Sequence, residues 1–155
     1  MRLTQFSFYS IIIMLLFVSF SGCQKRADME EETIVNYLKD HTLFDKSVKT
    51  SEGIYYYIQT AGNGVKPTVD SKVTVNYKGY LIDGKEFDSS YSLAEKPSFF
   101  LYEVIEGWTI GMQHFDKGAK GSLFIPSRYA YGKNPPAGIP KNAILLFDIE
   151  LLDIQ

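Results

Sequence analysis

Rings dominate the side chains of this sequence that could recognise or transform a partner. Of its 155 residues 15% are aromatic, counting one Trp, eleven Tyr and eleven Phe. The groups that usually make and break bonds are few and scattered. His41 and His114 are isolated, and no Cys, His, Asp or Glu cluster has metal-ligand spacing, so neither a metal nor a cofactor is expected. The only cysteine, Cys23, excludes an internal disulfide framework and a four-thiolate zinc site. It sits in an N-terminal tail, where no ordered basic surroundings would activate a thiol. The net charge of -2 leaves no electrostatic footprint for nucleic acid. With 22% charged and 45% hydrophobic residues, the chain has the composition of an ordered domain.

The elements that must position these rings begin near Ser51, where the pattern takes a period of two. Ile54, Tyr56 and Ile58 alternate with Tyr55, Tyr57 and Gln59, which predicts a strand. Gly62-Asn63-Gly64 turns the chain. Val73, Val75 and Tyr77 share a face of a second strand, and Asp83-Gly84 predicts a type I′ hairpin into a third strand opening at Lys85. Ile105, Trp108, Met112 and Phe115 have helical spacing, with Gly118 as the expected C-cap. Strands resume at Ser122–Ile125 and at Ala143–Leu152, where Leu145, Phe147, Ile149 and Leu151 lie on one face. This order predicts an α+β domain over residues 51–155, a curved antiparallel β-sheet wrapped around one short α-helix. An apolar cleft between sheet and helix is where rings would collect. Two irregular segments, Ser89–Pro97 and the Pro- and Gly-rich Tyr131–Lys141, are candidates to carry function.

The N-terminus reads as an address. Arg2, the apolar run Ile11–Phe20 and the small residues Ser21 and Gly22 form a secretory signal over residues 1–22. With Cys23 next, the segment resembles a bacterial lipoprotein signal, in which the thiol is acylated and becomes the new N-terminus. Gln24 after the cysteine favours the outer membrane of the cell envelope. Residues 23–50 are expected to be a tether with a short helix at Asp28–Asp40, its narrow apolar stripe formed by Ile34, Tyr37 and Leu38. Glu30, Glu31 and Glu32 suit the first turn of that helix. The plain reading is a solvated spacer holding the domain off the membrane; the other is a dimerising or partner-binding helix.

Five motifs stand in order in the domain: Val75-Asn76-Tyr77-Lys78-Gly79, Asp83-Gly84-Lys85-Glu86-Phe87-Asp88-Ser89-Ser90, Val104-Ile105-Glu106-Gly107-Trp108, Tyr129-Ala130-Tyr131-Gly132 and Leu146-Phe147-Asp148-Ile149-Glu150-Leu151. Together they resemble the FKBP-type peptidyl-prolyl cis-trans isomerases over about Gly53 to Ile154. The resemblance implies a prolyl pocket with Trp108 as floor and Tyr77, Phe87, Val104, Ile105 and Phe147 as walls. Tyr131 and Asp88 would supply polar groups, and Ile139 would descend from the late loop. Of these, Tyr77, Phe87, Asp88 and Tyr131 would be catalytic and the others would bind substrate. From pattern alone, Trp108 and Phe147 read as core, Tyr77 and Phe87 as strand aromatics, Asp88 as the start of a turn and Tyr131 as a loop anchor.

Three departures stand against the family pattern. Leu93 occupies a position where many members carry an arginine that pairs with the residue corresponding to Asp88. Pro97-Ser98 replaces an aromatic that often rims the pocket, and Lys141 stands where a second proline is common. The expected function is isomerisation of X-Pro bonds in proline-containing polypeptide clients of the envelope, with the lipid on Cys23 as membrane anchor. The alternative is a non-catalytic chaperone or peptide-binding module using the same cleft.

Overall fold

The computed structural model describes residues 24–155. The signal segment 1–22 and Cys23 lie outside the described residues, and so do the expectations of cleavage and acylation placed on them.

Among the described residues seven strands form one antiparallel sheet: β1 (Val48–Lys49), β2 (Tyr55–Thr60), β3 (Lys72–Leu81), β4 (Glu86–Ser89), β5 (Ser98–Phe100), β6 (Lys120–Ile125) and β7 (Leu145–Ile154). Their order is β1-β2-β6-β7-β3-β4. Strand β5 pairs with the first part of β3 and β4 with its last part, both on the edge that β7 leaves open. Among the described residues two α-helices flank the sheet, α1 over residues 24–40 and α2 at Glu106–Gly111.

Alternation along the strands sorts side chains between two apolar layers. Leu145, Phe147, Ile149 and Leu151 of β7 face α2 in the main core with Val73, Val75, Trp108 and Met112. Leu146 of β7 and Tyr55 of β2 point the other way, into a second layer with Phe124 and Ile144. Helix α1 covers that second layer with Ile34 and Leu38, both fully buried. Burial of each contributes roughly 2 kcal/mol. The spacer reading of this segment is therefore corrected: its apolar stripe docks on the outer face of the sheet. Three residues at helical spacing cannot reveal such a dock, because the surface that receives them is assembled from β2, β6 and the approach to β7. The Tyr55 hydroxyl donates to Glu31 at 3.3 Å, and Lys49 of β1 pairs with the same carboxylate.

Two local expectations also change. Helix α2 gives way to a 3-10 turn at Met112–His114, and the chain is already extended at Phe115, so Gly118 caps no helix and instead turns the chain into β6. The β3–β4 hairpin has a three-residue loop rather than a type I′ turn. Leu81 N–H donates to Lys85 O and Gly84 N–H to Leu81 O, each at 2.9 Å. Only Gly84 takes a positive φ, +87°, the pattern of a type I turn closed by a left-handed glycine. Beyond it the register slips: Gly79 pairs with Asp88 but Tyr80 with Glu86, which leaves Phe87 as the extra residue of a bulge.

Candidate functional site

The bulge matters because of where it leaves the Phe87 ring. A Cβ on Gly79 would lie 2.6 Å from that ring and 3.0 Å from Phe147. The missing side chain of Gly79 is thus the space that Phe87 occupies. Phe87 meets Phe147 edge to face, centroids 5.7 Å apart at 89°. From the opposite side α2 supplies Trp108, which is 4% exposed. Its indole is met edge-on by Tyr77 and by Phe147, each with centroids 5.3 Å away, and by Phe99 at 6.1 Å. Such tilted pairs contribute about 0.5–1.5 kcal/mol each beyond area burial. The rings are therefore stiff as well as apolar.

They enclose an open cavity of about 370 Å³, at the small end of ligand pockets. Val104 and Ile105, just before α2, complete its apolar wall, and Asp88, Glu103 and Tyr131 supply polar groups. Trp108 Nε1 is buried without a hydrogen-bond partner among the described residues.

Tyr77 is held at both ends. Its backbone N–H donates to Ser90 Oγ at 2.8 Å, and its carbonyl accepts from Ser90 N–H at 2.9 Å. Its hydroxyl donates to Asp88 Oδ2 at 2.6 Å, while Asp88 Oδ1 accepts from Ser89 N–H at 2.8 Å. The loss of an arginine at Leu93 accordingly does not leave Asp88 unpartnered, and Leu93 itself is half exposed. Burial raises the Tyr77 pKa far above its ordinary value, and the bonded Asp88 carboxylate raises it further. Burial, then the charge of Asp88, raises that of Tyr131. Both hydroxyls remain protonated, and so remain donors, at any ordinary pH.

The cavity thus brings together Tyr77, Phe87, Asp88, Val104, Ile105, Trp108, Tyr131 and Phe147. Ile139 is different: it packs, partly buried, against the main core and does not line the cavity. Phe99 and Glu103 line it and were not among the expected site residues. Phe99 also alters the meaning of Pro97-Ser98, since the pocket keeps an aromatic at that side. Its register explains why: Phe99 stands opposite Val73, on the core-facing side of β3. The aromatic pair Phe99-Phe100 was the available signal, but a three-residue strand is too short to show which ring turns inward.

The family model described as FKBP-type peptidyl-prolyl cis-trans isomerase matches residues 63–152, more than half of the chain. The chain belongs to that family. The FKBP match begins after β2 and ends within β7, so it contains every cavity-lining residue and excludes α1. An FKBP-type isomerase named FkpA from Escherichia coli K12 is 52% identical over 112 residues, covering 72% of this chain and 42% of that protein. A probable FkpA of Neisseria meningitidis serogroup B is 42% identical over 120 residues, 76% of this chain and 44% of its own length. The chain spans less than half the length of these two curated relatives. Among solved structures, the crystal structure of E. coli FkpA matches with a TM-score of 0.70 at 37% identity, over 99% of this chain and 74% of that one. A peptidyl-prolyl isomerase from Pseudomonas syringae matches with a TM-score of 0.73 at 32% identity, over 85% and 95%.

Proposed function

We propose that this FKBP-family chain catalyses cis-trans isomerisation of X-Pro bonds in polypeptide clients. The observation that carries the reading is the rigid ring-lined cavity over Trp108, with protonated hydroxyls of Tyr77 and Tyr131 at its polar side. Rotation about an X-Pro bond crosses a barrier of roughly 18–20 kcal/mol because it breaks amide resonance. The twisted amide is less polar than the planar one, so a dry aromatic site disfavours the planar form relative to it. The prolyl ring, an apolar disc, lies on the indole of Trp108 between Phe87, Phe99 and Phe147. Tyr131 donates to a carbonyl beside the rotating bond and holds it in register. Tyr77 acts differently, since its proton is committed to Asp88: it forms wall and fixes the Asp88 carboxylate. An acceleration of about 10⁴- to 10⁶-fold needs only about 5–8 kcal/mol, within reach of orientation and desolvation.

The clients are proline-containing segments of envelope proteins. The membrane attachment is a lipid on Cys23, supported by the residues that precede it, and mass spectrometry of the mature N-terminus tests it. Activity is tested by following cis-trans exchange of an X-Pro peptide, with the residue before proline varied, in the presence of the purified chain. Acceleration supports the proposal. Binding of unfolded chains with no acceleration would establish the alternative, a chaperone or peptide-binding module that uses the same cleft.

A further inference from the structure

Glu30 is a buried carboxylate that the chemistry above does not use. It lies on α1, before the segment that the family model matches. Only 9% of it is exposed, yet no cation accompanies it among its described hydrogen bonds. Both oxygens are spent on one residue. Oε2 accepts from Ser127 N–H at 2.9 Å and Oε1 from the Ser127 hydroxyl at 2.6 Å. Ser127, itself 2% exposed, opens the 3-10 turn Ser127–Tyr129, one residue (Pro126) after β6.

What Ser127 holds is the loop that carries Tyr131. Its carbonyl accepts from Ala130 N–H at 3.1 Å and from Gly132 N–H at 2.9 Å, the amides on either side of Tyr131. Gly132 O in turn accepts from Asn142 N–H at 2.7 Å, tying the loop to the end of the Pro-rich segment. Next to Ser127, Arg128 donates to Glu52 O at 2.6 Å and covers the Tyr129 ring. The turn is thus clamped from the outer face of the sheet, while Tyr131 stands at the cavity on the inner side.

We infer that α1 is a positioning element of the site, with Glu30 as the positioning residue: its carboxylate fixes Ser127, Ser127 fixes the peptide units around Tyr131, and these set where the Tyr131 hydroxyl meets the substrate. This inference rests on the isomerase reading for its kinetic consequence but not for its structural one. A charge-assisted pair of hydrogen bonds within a buried contact is strong and directional. Losing it moves a substrate-facing hydroxyl without removing any cavity wall.

The test compares Glu30→Ala, Glu30→Gln and Tyr131→Phe, alone and with Glu30→Ala added to Tyr131→Phe, in the full chain. Isomerisation of an X-Pro peptide and amide exchange at Ala130 and Gly132 are read together. Glu30→Ala should lower kcat/KM by about five- to tenfold, the order expected from a small misplacement of an orienting group. Glu30→Gln, which keeps an acceptor, should recover part of that loss. In the Tyr131→Phe background Glu30→Ala should cost almost nothing more, and exchange at Gly132 should quicken in both chains that carry it. An equal fold-loss with and without the Tyr131 hydroxyl would overturn the inference, as would unchanged exchange at Gly132. If Glu30→Ala does not fold, Ser127→Ala removes the hydroxyl bond alone and is read by the same two measurements. If the unaltered chain does not accelerate isomerisation, the isomerase reading fails by itself, and exchange at Gly132 still decides the positioning claim.

Discussion

The hydroxyl of Tyr77 donates a 2.6 Å hydrogen bond to Oδ2 of Asp88, from β3 to the paired strand β4 just past the bulge at Phe87. With the Ser89 N–H it partners Asp88 without a cation, and it joins the polar edge of the cavity to one of its ring walls. Removing either group should expose the coupling. Tyr77→Phe and Asp88→Asn should each destabilise the domain by about 1 kcal/mol, and the double variant by little more than either alone. Denaturant unfolding of the four chains measures it.

Gly79 offers a test of the cavity wall. The ring of Phe87 fills the space where a Gly79 side chain would be, and Phe147 closes it. Gly79→Ala should therefore push Phe87 into the cavity and destabilise the domain by about 1–3 kcal/mol through overpacking. Prolyl-peptide affinity should fall in the same variant, read by titration calorimetry.

The outline of the fold was readable because its signals are local. Alternation marked β2, β3 and β7, and the spacing of Trp108 and Met112 marked the helix under the sheet. What could not be read depends on juxtaposition. Ile34 and Leu38 form a stripe whose partner, Tyr55, Phe124, Ile144 and Leu146, exists only once three segments are adjacent. Trp108 and Phe147 stood out by pattern only as core; their role as cavity floor and wall came from resemblance. Phe99 was missed because the direction of its ring is fixed by pairing with Val73 and not by anything in β5 itself. Ile139 is close to the core but outside the cavity lining, a matter of loop geometry that a Pro- and Gly-rich stretch does not encode locally. The aromatic excess now divides by face. Tyr55 and Tyr57 belong to the layer under α1, Tyr56 stacks on His114, and the exposed Tyr91 lies beneath the Lys78 ammonium.

The hydroxyls predict a flat pH profile. The pKa values of Tyr77 and Tyr131 are raised above that of free tyrosine, by burial first and by Asp88 second. A raised value keeps the proton on to higher pH, so neither group changes state in the neutral range. Isomerase activity should stay level from about pH 6 to 9, a range well below the ordinary tyrosine value near 10. A tyrosine ionisation governing kcat within that interval would contradict the assignment.

Stability, by contrast, should respond to acid through His114. Its ring stacks on Tyr56 with centroids 4.4 Å apart, and burial, reinforced by nearby Lys66, lowers its pKa despite the opposing charge of Glu52. The folded form therefore resists the proton that the unfolded chain accepts near pH 6.5, so stability falls as pH drops below that value. The melting temperature should fall between pH 7.5 and 5.5, and His114→Phe, which keeps the stack, should flatten that fall. Glu150 acts lower on the scale: bonded by Lys120 and Asn76, its carboxylate has a depressed pKa. Its contribution is present above about pH 4.5, the ordinary glutamate range, and is lost on further acidification.

Trp108 is the only tryptophan in the chain and the floor of the cavity, so its fluorescence reports directly on occupancy. Titrating an X-Pro peptide while recording both Trp108 emission and the rate of cis-trans exchange tests the central claim most directly. The two signals should saturate together, at one half-saturating concentration, with exchange accelerated over the peptide alone. Acceleration with unchanged Trp108 emission would show that the reaction occurs elsewhere, and a Trp108 response without acceleration would show a binding site that does not catalyse.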